Sequence, residues 1–479
     1  TLKILIINPP RVNGYPVVRE ERYEHKDVGS VYPPLSLLYI ASSLEEQGFK
    51  PILIDANGFD ISWNELTAKI DTLRSDIVIT RCGFDTQKED LKVLEYVKTK
   101  FKSITVLRNK IISDVDNLKK ELLRKNKYID IFIDDEPDMV IPDLIKILQK
   151  KGLKGIKKAK GISFLLKNKM ISTGPVKPKD IDTIPFPAYH LLPSLKVYHT
   201  GILNGPFATV ITSRGCPFHC TFCAYARMGC RFRKPESVIK ELKILKKIHH
   251  IKSVLFFDDL VGLKKGYFER ICELLIQERL DLKWVACTRA NLLNERMVDL
   301  MKQAGCVEVP IGIESGSVSV LEKTKKGVTL DDIRKAAILL KTHGILFYGL
   351  VIIGLPGETR KTVKETIQFI KEIDPFYTQF CFATPFPNTD IYRYYKNNEL
   401  LLTEDYSQYT PISSVPVIRT KELSGNDLVE LKNYAYRKLV LRPGYLLKKI
   451  RLFDWKWNIQ GFIRILGVIG RIIKKKMIR

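Results

Sequence analysis

The sequence predicts an α/β protein with an N-terminal doubly wound, Rossmann-like sheet, a partial (β/α)6 barrel and a basic helical C-terminal tail. Three observations lead to this prediction. Residues 1–150 alternate short apolar runs with helical patterns, as a parallel sheet covered by helices requires. Residues 207–383 repeat this alternation six times, which is enough for an open barrel. Residues 442–479 carry eleven Lys or Arg against one acid.

The first 150 residues contain five short apolar runs that are typical of buried strands. These candidate strands are 2–8, 51–55, 76–80, 103–107 and 129–133. Apolar residues recur at helical spacing between them, over 35–44, 66–73, 91–97 and 118–122. Ligands of doubly wound sheets bind at the carboxyl ends of the strands, beside a topological switch point. We therefore expect the loops after the first three strands to face a ligand.

A connector is predicted over residues 151–200, where turns rich in Lys and Gly flank a hairpin of 162–166 with 170–172. Four prolines between Pro175 and Pro187 exclude a helix there and stiffen the chain. The expected domains are a sheet domain, a linker with hairpin, a barrel and a helical C-terminal region with the basic tail. Their predicted bounds are 1–150, 151–200, 201–400 and 401–479.

The predicted barrel has six strands with helical patterns in the gaps, for example at 237–248 and 331–340. The candidate strands are 207–212, 253–258, 283–288, 307–313, 346–353 and 376–383. Successive β–α units place their reactive groups on the loops at the carboxyl ends of the strands. The loops after these strands are therefore where the chemistry is expected.

A cysteine-rich loop follows the first barrel strand. Cys216, Cys220 and Cys223 are spaced C-x3-C-x2-C, and Thr212-Ser213-Arg214-Gly215 precedes them. Three thiolates this close can hold three irons of a four-iron cluster and leave the fourth iron open to a substrate. The alternative is structural zinc with Cys230 as a fourth ligand, although zinc sites favour paired C-x2-C units. The spacing indicates the iron–sulfur cluster.

This loop resembles the signature of radical S-adenosylmethionine (SAM) enzymes, in which an aromatic residue precedes the last cysteine, here Phe222. The resemblance implies that SAM chelates the open iron through its amino and carboxylate groups. It also implies that one electron from the cluster cleaves SAM to methionine and a deoxyadenosyl radical, which removes hydrogen from an unactivated C–H bond. By the same resemblance, Phe222 is expected beside the adenine.

Further predicted SAM contacts lie at the ends of the later barrel strands, in the order of the family. Asp258 and Asp259 could bind the ammonium or ribose of SAM, or cap a helix N-terminus. Arg289 is placed to pair with a carboxylate of SAM. Glu314 can accept hydrogen bonds from two ribose hydroxyls, and Ser315 can serve the methionine end.

Two more motifs complete this set. Gly354 lies in Gly-Leu-Pro-Gly-Glu, where backbone can pass close to a flat ring. Pro385 begins Pro-Phe-Pro-Asn-Thr, which resembles the Pro-Phe-Pro-Gly-Thr of the family with Asn388 in place of glycine. Asn tolerates positive φ, so we expect this change to be mild. Four residues are candidate hydrogen relays, although we expect each of them to have a packing role. They are Tyr225, Tyr348, Tyr377 and Cys381.

The N-terminal region resembles the cobalamin-binding domain found ahead of many radical SAM enzymes. Asn8-Pro9-Pro10, then 32–37 and 48–56, follow the order of that family. The resemblance implies a cobalamin-binding-type fold but leaves bound cobalamin open. Residues 107–110 and 134–137 stand where the family has glycines, and long side chains there leave less room for backbone to approach a cofactor. The alternative is a vestigial or substrate-binding domain.

The other cysteines lie singly, so no disulfide framework is evident and a reduced, cytoplasmic compartment is expected. No basic-then-apolar leader and no stretch of about 18 uncharged apolar residues is found. In the tail, apolar residues from Trp455 to Ile473 recur at helical spacing opposite Lys and Arg. Such a helix can lie in the plane of a membrane surface, so residues 442–479 are predicted to give peripheral contact with its inner face. The alternative is a terminal helix docked on the barrel.

The first functional hypothesis is a radical SAM enzyme that acts on a hydrophobic substrate such as a polyisoprenoid lipid or a tetrapyrrole. The layout resembles the group of anaerobic magnesium-protoporphyrin ester cyclases and hopanoid methylases. Bound cobalamin would favour methylation of carbon, and its absence would favour ring formation or rearrangement. The resemblance also implies an electron donor of the flavodoxin or ferredoxin type.

Two alternatives belong to other classes. An RNA-modifying methylthiotransferase would suit the net charge of +26, but that family adds three N-terminal cysteines and the first 200 residues hold only Cys82. The sequence therefore argues against a nucleic-acid partner. A zinc-stabilised binding module would leave the ordered strand-end motifs unexplained.

Overall fold

The computed structural model describes residues 2–20, 23–26, 29–176, 180–203, 205–440 and 442. The predicted amphipathic helix of the tail lies outside the described residues, as does part of the proline-rich connector. The described chain folds around two large sheets, a mainly parallel one of seven strands and a fully parallel one of six. Within this part of the chain, no helix combines the length and apolar character that crossing a membrane requires.

The first sheet confirms the predicted doubly wound arrangement. Its strands are β1 (Ile4–Asn8), β4 (Ile52–Asp55), β5 (Ile77–Arg81), β6 (Ile104–Arg108), β7 (Ile131–Ile133), β8 (Ile162–Leu166) and β9 (Lys169–Ser172), and a separate hairpin pairs β2 (Val17–Glu20) with β3 (Tyr23–Lys26). Their order is β4-β1-β5-β6-β7-β8-β9, and the first five are parallel. The direction of winding reverses at β1, so the loops after β1 and β5 flank the switch point.

Seven helices connect these strands: α1 (Leu35–Glu46), α2 (Trp63–Leu73), α3 (Gln87–Asp90), α4 (Lys92–Phe101), α5 (Lys110–Ser113), α6 (Asp116–Lys125) and α7 (Pro137–Lys151). Local sequence sets several of their ends. Ser62 and Glu65 form a reciprocal capping box that starts α2. Asn109 caps α5 by accepting from the Ile112 N–H, and Pro137 stands in the first turn of α7.

Two hairpins add to the predicted elements. The sequence predicts the hairpin β8–β9 as part of a linker. In the structure this hairpin extends the first sheet, because β8 pairs antiparallel with β7. Pairing with β7 satisfies backbone groups that a free hairpin would leave to water, which explains why it joins the sheet. The hairpin β2–β3 was not predicted, since its strands are polar and only four residues long.

The second sheet confirms the six predicted barrel strands. They are β10 (Phe207–Val210), β13 (Ser253–Phe256), β14 (Lys283–Ala286), β15 (Cys306–Glu314), β16 (Leu346–Ile353) and β17 (Tyr377–Phe382), and the short strands β11 (Ser213–Arg214) and β12 (Arg231–Phe232) pair beside them. All six are parallel and follow chain order, and the described pairing does not join β10 to β17. The sheet is therefore an open barrel.

The remaining helices are α8 (Pro235–His249), α9 (Tyr267–Gln277), α10 (Glu295–Gln303), α11 (Val318–Lys323), α12 (Leu330–Thr342), α13 (Arg360–Ile373), α14 (Asp390–Asn397) and α15 (Gly425–Val440). On β16, every second residue is buried and the alternate residues are partly exposed. Strand geometry puts these two sets on opposite faces. One face therefore packs in the core, and the other lines the open side of the barrel.

Residues 400–440 cover the edge strand β17. The hydroxyl of Tyr436, on α15, accepts from the Phe380 N–H at 3.1 Å, and the Pro411 carbonyl accepts from the Phe382 N–H at 3.3 Å. An uncovered edge of this kind would present unpaired N–H groups to other chains. The C-terminal region therefore covers the sheet edge at β17.

Candidate active site

The cysteine loop spans residues 215–230 and is closed at its base by the antiparallel pair β11–β12, in which Arg214 lies opposite Arg231. Gly215 begins the loop with φ +99°, and a Cβ there would lie 2.1 Å from the Gly229 carbonyl oxygen. Only glycine fits both the conformation and the space. The sequence before the cysteines therefore has a structural reason to end in glycine.

Backbone hydrogen bonds hold the three cysteines in this loop. The Met228 N–H donates to the Cys216 carbonyl at 2.8 Å, and the Thr221 N–H donates to the Thr324 carbonyl at 2.9 Å. The Tyr225 N–H donates to the Cys223 sulfur at 3.4 Å, a contact that favours the thiolate. The loop is thus ordered by the chain itself, and it presents the cysteines from the carboxyl end of β10.

Three cysteines on one short loop are the donor set that a four-iron cluster with one open iron uses. Among the residues that the structure describes, no three His, Cys, Asp or Glu side chains converge on one point as ligands of a single metal ion do. A cluster places each cysteine on a different iron, so its sulfurs need not converge. The thiol of Cys230, the fourth ligand in the zinc alternative, donates to the Gly215 carbonyl at 3.3 Å.

Two cations lie near the cysteines. Burial raises the pKa of the Cys220 thiol, and the charges of Lys326 and Arg289 oppose this shift by favouring the thiolate. Burial lowers the pKa of the Arg289 guanidinium, which the thiols of Cys220 and Cys216 partly offset. The guanidinium lies 3.4 Å from the ring centroid of Phe218, within the same loop. Arg289 is thus brought to the cysteines, as its position after β14 predicts.

Asp258 lies beneath the loop and not in an open pocket. Its Oδ1 accepts from the Ser213 N–H at 2.5 Å and from the hydroxyls of Thr212 and Ser213 at 2.7 Å each. Burial raises its pKa to about 6, against these hydrogen bonds. The neighbouring Asp259 accepts from the Gly215 N–H at 2.9 Å. Both carboxyl groups therefore position the loop, and a contact from Asp258 to SAM stays a prediction.

Glu314 and Ser315 are both occupied by protein partners. Glu314 has φ +60° and accepts from the buried Lys326 at 2.6 Å. Ser315 is fully buried, and its hydroxyl lies 3.2 Å from that of Thr366 on α13. Lys326 carries no separate signal in the sequence, because it is one of several lysines in a short run. Lys326 therefore connects Glu314 to the cysteine loop, because its charge also acts on the Cys220 thiol. The SAM contacts of Glu314 and Ser315 stay predictions.

The last predicted positions line the rim of the barrel. Phe222 is half-buried and packs against the main core, and Pro385 is buried. Gly354 has φ +94°, and a Cβ there would lie 2.7 Å from Ile418 Cδ1, so glycine is required. Asn388 is not among the residues with positive φ, so tolerance of positive φ does not explain why asparagine replaces glycine there. Its side-chain amide instead donates to the Ala224 carbonyl at 3.0 Å, on the cysteine loop.

Glu358 is a buried carboxyl that sequence reasoning missed. It accepts from the Gly354 N–H, and burial raises its pKa to about 8. The folded chain therefore holds a proton that the unfolded chain releases near pH 4.5, so stability falls as pH rises between these values. The Gly-Leu-Pro-Gly-Glu motif predicted only that backbone passes close to a ring. Nothing in the sequence indicates that the glutamate at its end is buried.

We expect the thermal midpoint of the wild-type protein to fall between pH 6 and pH 8 by more than that of Glu358→Gln, because glutamine cannot ionise. Differential scanning calorimetry at both pH values under anaerobic conditions measures the two shifts. Glu422→Gln, at an exposed carboxylate, is the matched control and should behave as the wild type does. Equal shifts in the wild type and Glu358→Gln would contradict the assignment.

A carboxylate of the first sheet region clamps the base of the cysteine loop. Glu136, at the start of α7, pairs through one oxygen with Arg214 and through the other with Arg231. Asp138 adds a second partner for Arg214 at 3.0 Å. Burial disfavours the charge of Arg214, but Asp138 and Glu136 outweigh it and raise the pKa of the guanidinium. The two ends of the loop are therefore joined by one carboxylate at the start of α7.

Buried side chains occupy the switch point of the first sheet, where a corrin would bind. Arg19 pairs with Asp90 at 2.7 Å, and both side chains are almost fully buried. Arg19 also donates to the Pro9 and Pro10 carbonyls, while Asp90 accepts from the Gly83 N–H at 2.9 Å. This pair joins the loops after β1 and β5, which are the loops expected to face a ligand.

The loops after β6 and β7 are similarly filled. Arg108 is buried and donates to the carbonyls of Ile133 and Asp134 at 3.1 and 2.9 Å. Lys119 pairs with Asp134 at 2.8 Å. Side chains thus occupy the positions at which glycine would let backbone approach a corrin. This edge therefore lacks the close backbone approach through which glycines would hold a corrin.

The comparisons with known proteins agree with this geometry. A match to the radical SAM superfamily covers residues 210–370. An uncharacterized methyltransferase of Pyrococcus horikoshii is 34% identical over 473 residues, which cover 97% of this chain and 98% of that protein. The anaerobic magnesium-protoporphyrin IX monomethyl ester cyclase of Rubrivivax gelatinosus is 24% identical over 428 residues, covering 88% of this chain and 76% of the cyclase.

A solved structure shows the same fold. The radical S-adenosylmethionine methyltransferase TsrM from Kitasatospora setae, with cobalamin and a 4Fe–4S cluster bound, aligns with a TM-score of 0.67 at 16% identity. The alignment covers 91% of this chain and 81% of TsrM. Radical SAM enzymes use a 4Fe–4S cluster and SAM, and the cysteine loop lies within the matched region. The chain is a radical SAM enzyme and belongs to the radical SAM superfamily.

Proposed function

We propose that this enzyme cleaves SAM at a cluster held by Cys216, Cys220 and Cys223 and functionalises an unactivated carbon of a hydrophobic substrate. The arrangement that carries the proposal is the cysteine loop at the carboxyl end of β10, beside an apolar barrel face. The cluster, when bound, supplies the electron that cleaves SAM. The chain itself orders the loop, keeps two cations near the thiolates and provides the substrate wall.

The partly exposed face of β16, which we call the apolar wall, supports the proposal of a hydrophobic substrate. On β16 the partly exposed residues are Leu346, Tyr348, Leu350 and Ile352. Leu350 and Ile352 lie in register with Gln379 and Cys381 of β17, which puts an amide and a thiol on the same face. A wall of this kind buries hydrocarbon or ring surface and offers few polar contacts. A polyisoprenoid lipid or a tetrapyrrole fits this description.

The names of relatives support tetrapyrrole-like substrates, since they include magnesium-protoporphyrin IX monomethyl ester cyclases and bacteriochlorophyllide methyltransferases. The filled switch point supports a reaction that needs no corrin. We therefore assign ring formation or another radical rearrangement to this chain in preference to methylation of carbon. The proposed SAM contacts remain those that the sequence predicted: Phe222, Asp258, Arg289, Glu314, Ser315, Gly354 and Pro385.

Anaerobic purification and reconstitution test this function. We expect about four irons and four sulfides per chain, no corrinoid, and 5′-deoxyadenosine after reduction with dithionite. Incubation with perdeuterated isoprenoid lipid or with deuterated protoporphyrin ester then identifies the substrate class. Deuterium should enter 5′-deoxyadenosine from only one of them. Zinc in place of iron would overturn the assignment, and bound corrinoid would overturn the preference for ring formation.

A further inference from the structure

A group of exposed cations surrounds the cysteine loop on its outer side. We call Arg227, Lys323, Lys325 and Arg393 the basic collar. Arg227 belongs to the loop itself, the two lysines lie at the end of α11 and just after it, and Arg393 is on α14. The side chains of Arg227 and Arg393 are 49% and 59% exposed, and both lysines are exposed. The collar is therefore open to a large partner.

Hydrogen bonds of Thr221 connect the collar to the predicted cluster ligands. Thr221 directly follows Cys220, and its N–H donates to the Thr324 carbonyl at 2.9 Å. Its own carbonyl accepts from the Ile391 N–H at 3.0 Å. Thr324 lies between Lys323 and Lys325, while Ile391 lies two residues before Arg393. Each side of the collar is thus one hydrogen bond and a few covalent bonds from Thr221.

The charges of the collar are only partly compensated. Asp390 is shared between Arg227 and Arg393, so one carboxylate serves two guanidiniums. Glu322, beside Lys323, is an exposed carboxylate near the collar. The described residues give neither Lys323 nor Lys325 a carboxylate partner. A surplus of positive charge therefore lies directly outside the cysteines.

The proposed function requires an electron from outside the chain for each SAM that is cleaved. The donor is oxidised by one electron and the cluster is reduced by one. That electron then passes to the sulfonium of SAM, where the bond from sulfur to C5′ breaks. Methionine leaves with the sulfur lone pair, and the 5′-deoxyadenosyl group keeps the unpaired electron. The electron source must approach the cluster closely, because the other described cysteines lie singly and form no second set of this kind.

We propose that the basic collar is the docking surface for an acidic one-electron carrier protein of the flavodoxin or ferredoxin class. This inference rests on the proposed function. Opposite charges around a contact accelerate encounter by about 10- to 1,000-fold at low salt and orient the partner. Docking here brings the carrier to the hydrogen-bonded segments that hold Thr221. The electron enters beside Cys220.

The experiment compares two reductants on the full chain with its cluster reconstituted. Lys323→Glu/Lys325→Glu reverses two charges of the collar without touching a proposed ligand of the cluster or of SAM. Lys240→Glu/Lys247→Glu reverses two exposed charges on the outer side of α8 and is the matched control. The probes are reduced flavodoxin and reduced plant-type ferredoxin, both acidic, and dithionite, which needs no docking surface. The readout is the initial rate of 5′-deoxyadenosine formation.

We expect the collar variant to lose about tenfold in the rate driven by either carrier and nothing in the rate driven by dithionite. The loss should shrink as salt rises, because screening weakens exposed charges. The control should match the wild type with all three reductants. Equal carrier-driven rates in the wild type and the collar variant would overturn the proposal, as would dithionite activity without any carrier-driven activity. Absence of 5′-deoxyadenosine with every reductant would instead overturn the proposed function.

Nucleic acid is the competing partner for a basic surface. Bulk tRNA should not bind the wild type more tightly than the collar variant in a filter-binding titration. If tRNA binding were lost in the collar variant while both carrier-driven rates stayed equal to the wild type, the collar would be a nucleic-acid surface and the proposal would be wrong.

Discussion

Replacing Cys220 with alanine is expected to lower 5′-deoxyadenosine formation by on the order of a thousandfold or more. Removing one of three thiolates leaves a second iron without a protein ligand, so the cluster is lost or binds SAM incorrectly. The measurement is the dithionite-driven rate together with iron and sulfide content after anaerobic reconstitution. Alanine at Cys216 or Cys223 should have the same effect.

Cys230→Ala is the matched control, because it removes a cysteine of the same loop that donates to the Gly215 carbonyl. We expect this variant to keep its iron and most of its activity. The zinc alternative makes the opposite prediction, since it uses Cys230 as a ligand. Unchanged 5′-deoxyadenosine production by Cys220→Ala would contradict the cluster assignment entirely.

The second large effect is expected from Glu136→Lys. This change places a cation against Arg214 and Arg231 and removes the carboxylate that joins the two ends of the cysteine loop. Losing one partner of a largely buried charge network costs about 3 kcal/mol, so we expect a marked loss of stability in the loop. Iron content, the electron paramagnetic resonance signal of the reduced cluster and KM for SAM should all change.

Charge reversal separates positioning from general destabilisation. Arg231→Glu combined with Glu136→Lys restores an opposite-charge pair and should recover part of the spectroscopic signal and of the KM for SAM. Asp143→Lys, at an exposed site on the same helix, should leave both unchanged. If the double variant were no better than Glu136→Lys alone, the pair between Glu136 and Arg231 would not position the loop.

Sequence periodicity was sufficient to predict the two sheets. Each predicted parallel strand, from 2–8 to 376–383, has a counterpart in the structure, within about two residues at most ends. Buried parallel strands are short continuous apolar runs, and the helices between them repeat every three to four residues, so both signals are local. The cysteine spacing was equally readable, because a cluster needs three thiolates on one short segment.

The roles of several polar residues depended on contacts between distant segments. The sequence predicted a SAM contact for Asp258, and the structure adds that this carboxyl accepts from Thr212 and Ser213, because the end of β13 lies under the cysteine loop. Glu314 is paired with Lys326, a residue without any signal in the sequence. A carboxylate at a strand end can cap, position or bind, and only the neighbours brought by the fold decide which.

The sequence by itself determined the fold class, the cysteine motif and the resemblance to radical SAM enzymes. Only the tertiary structure showed that Glu136 clamps the cysteine loop, that Arg19 and Asp90 fill the switch point, and that the basic collar surrounds Thr221. The physical reason is the range of the interactions. Strands, helices and short metal motifs are set by residues a few positions apart, whereas ion pairs and docking surfaces join residues that are dozens to more than a hundred positions apart.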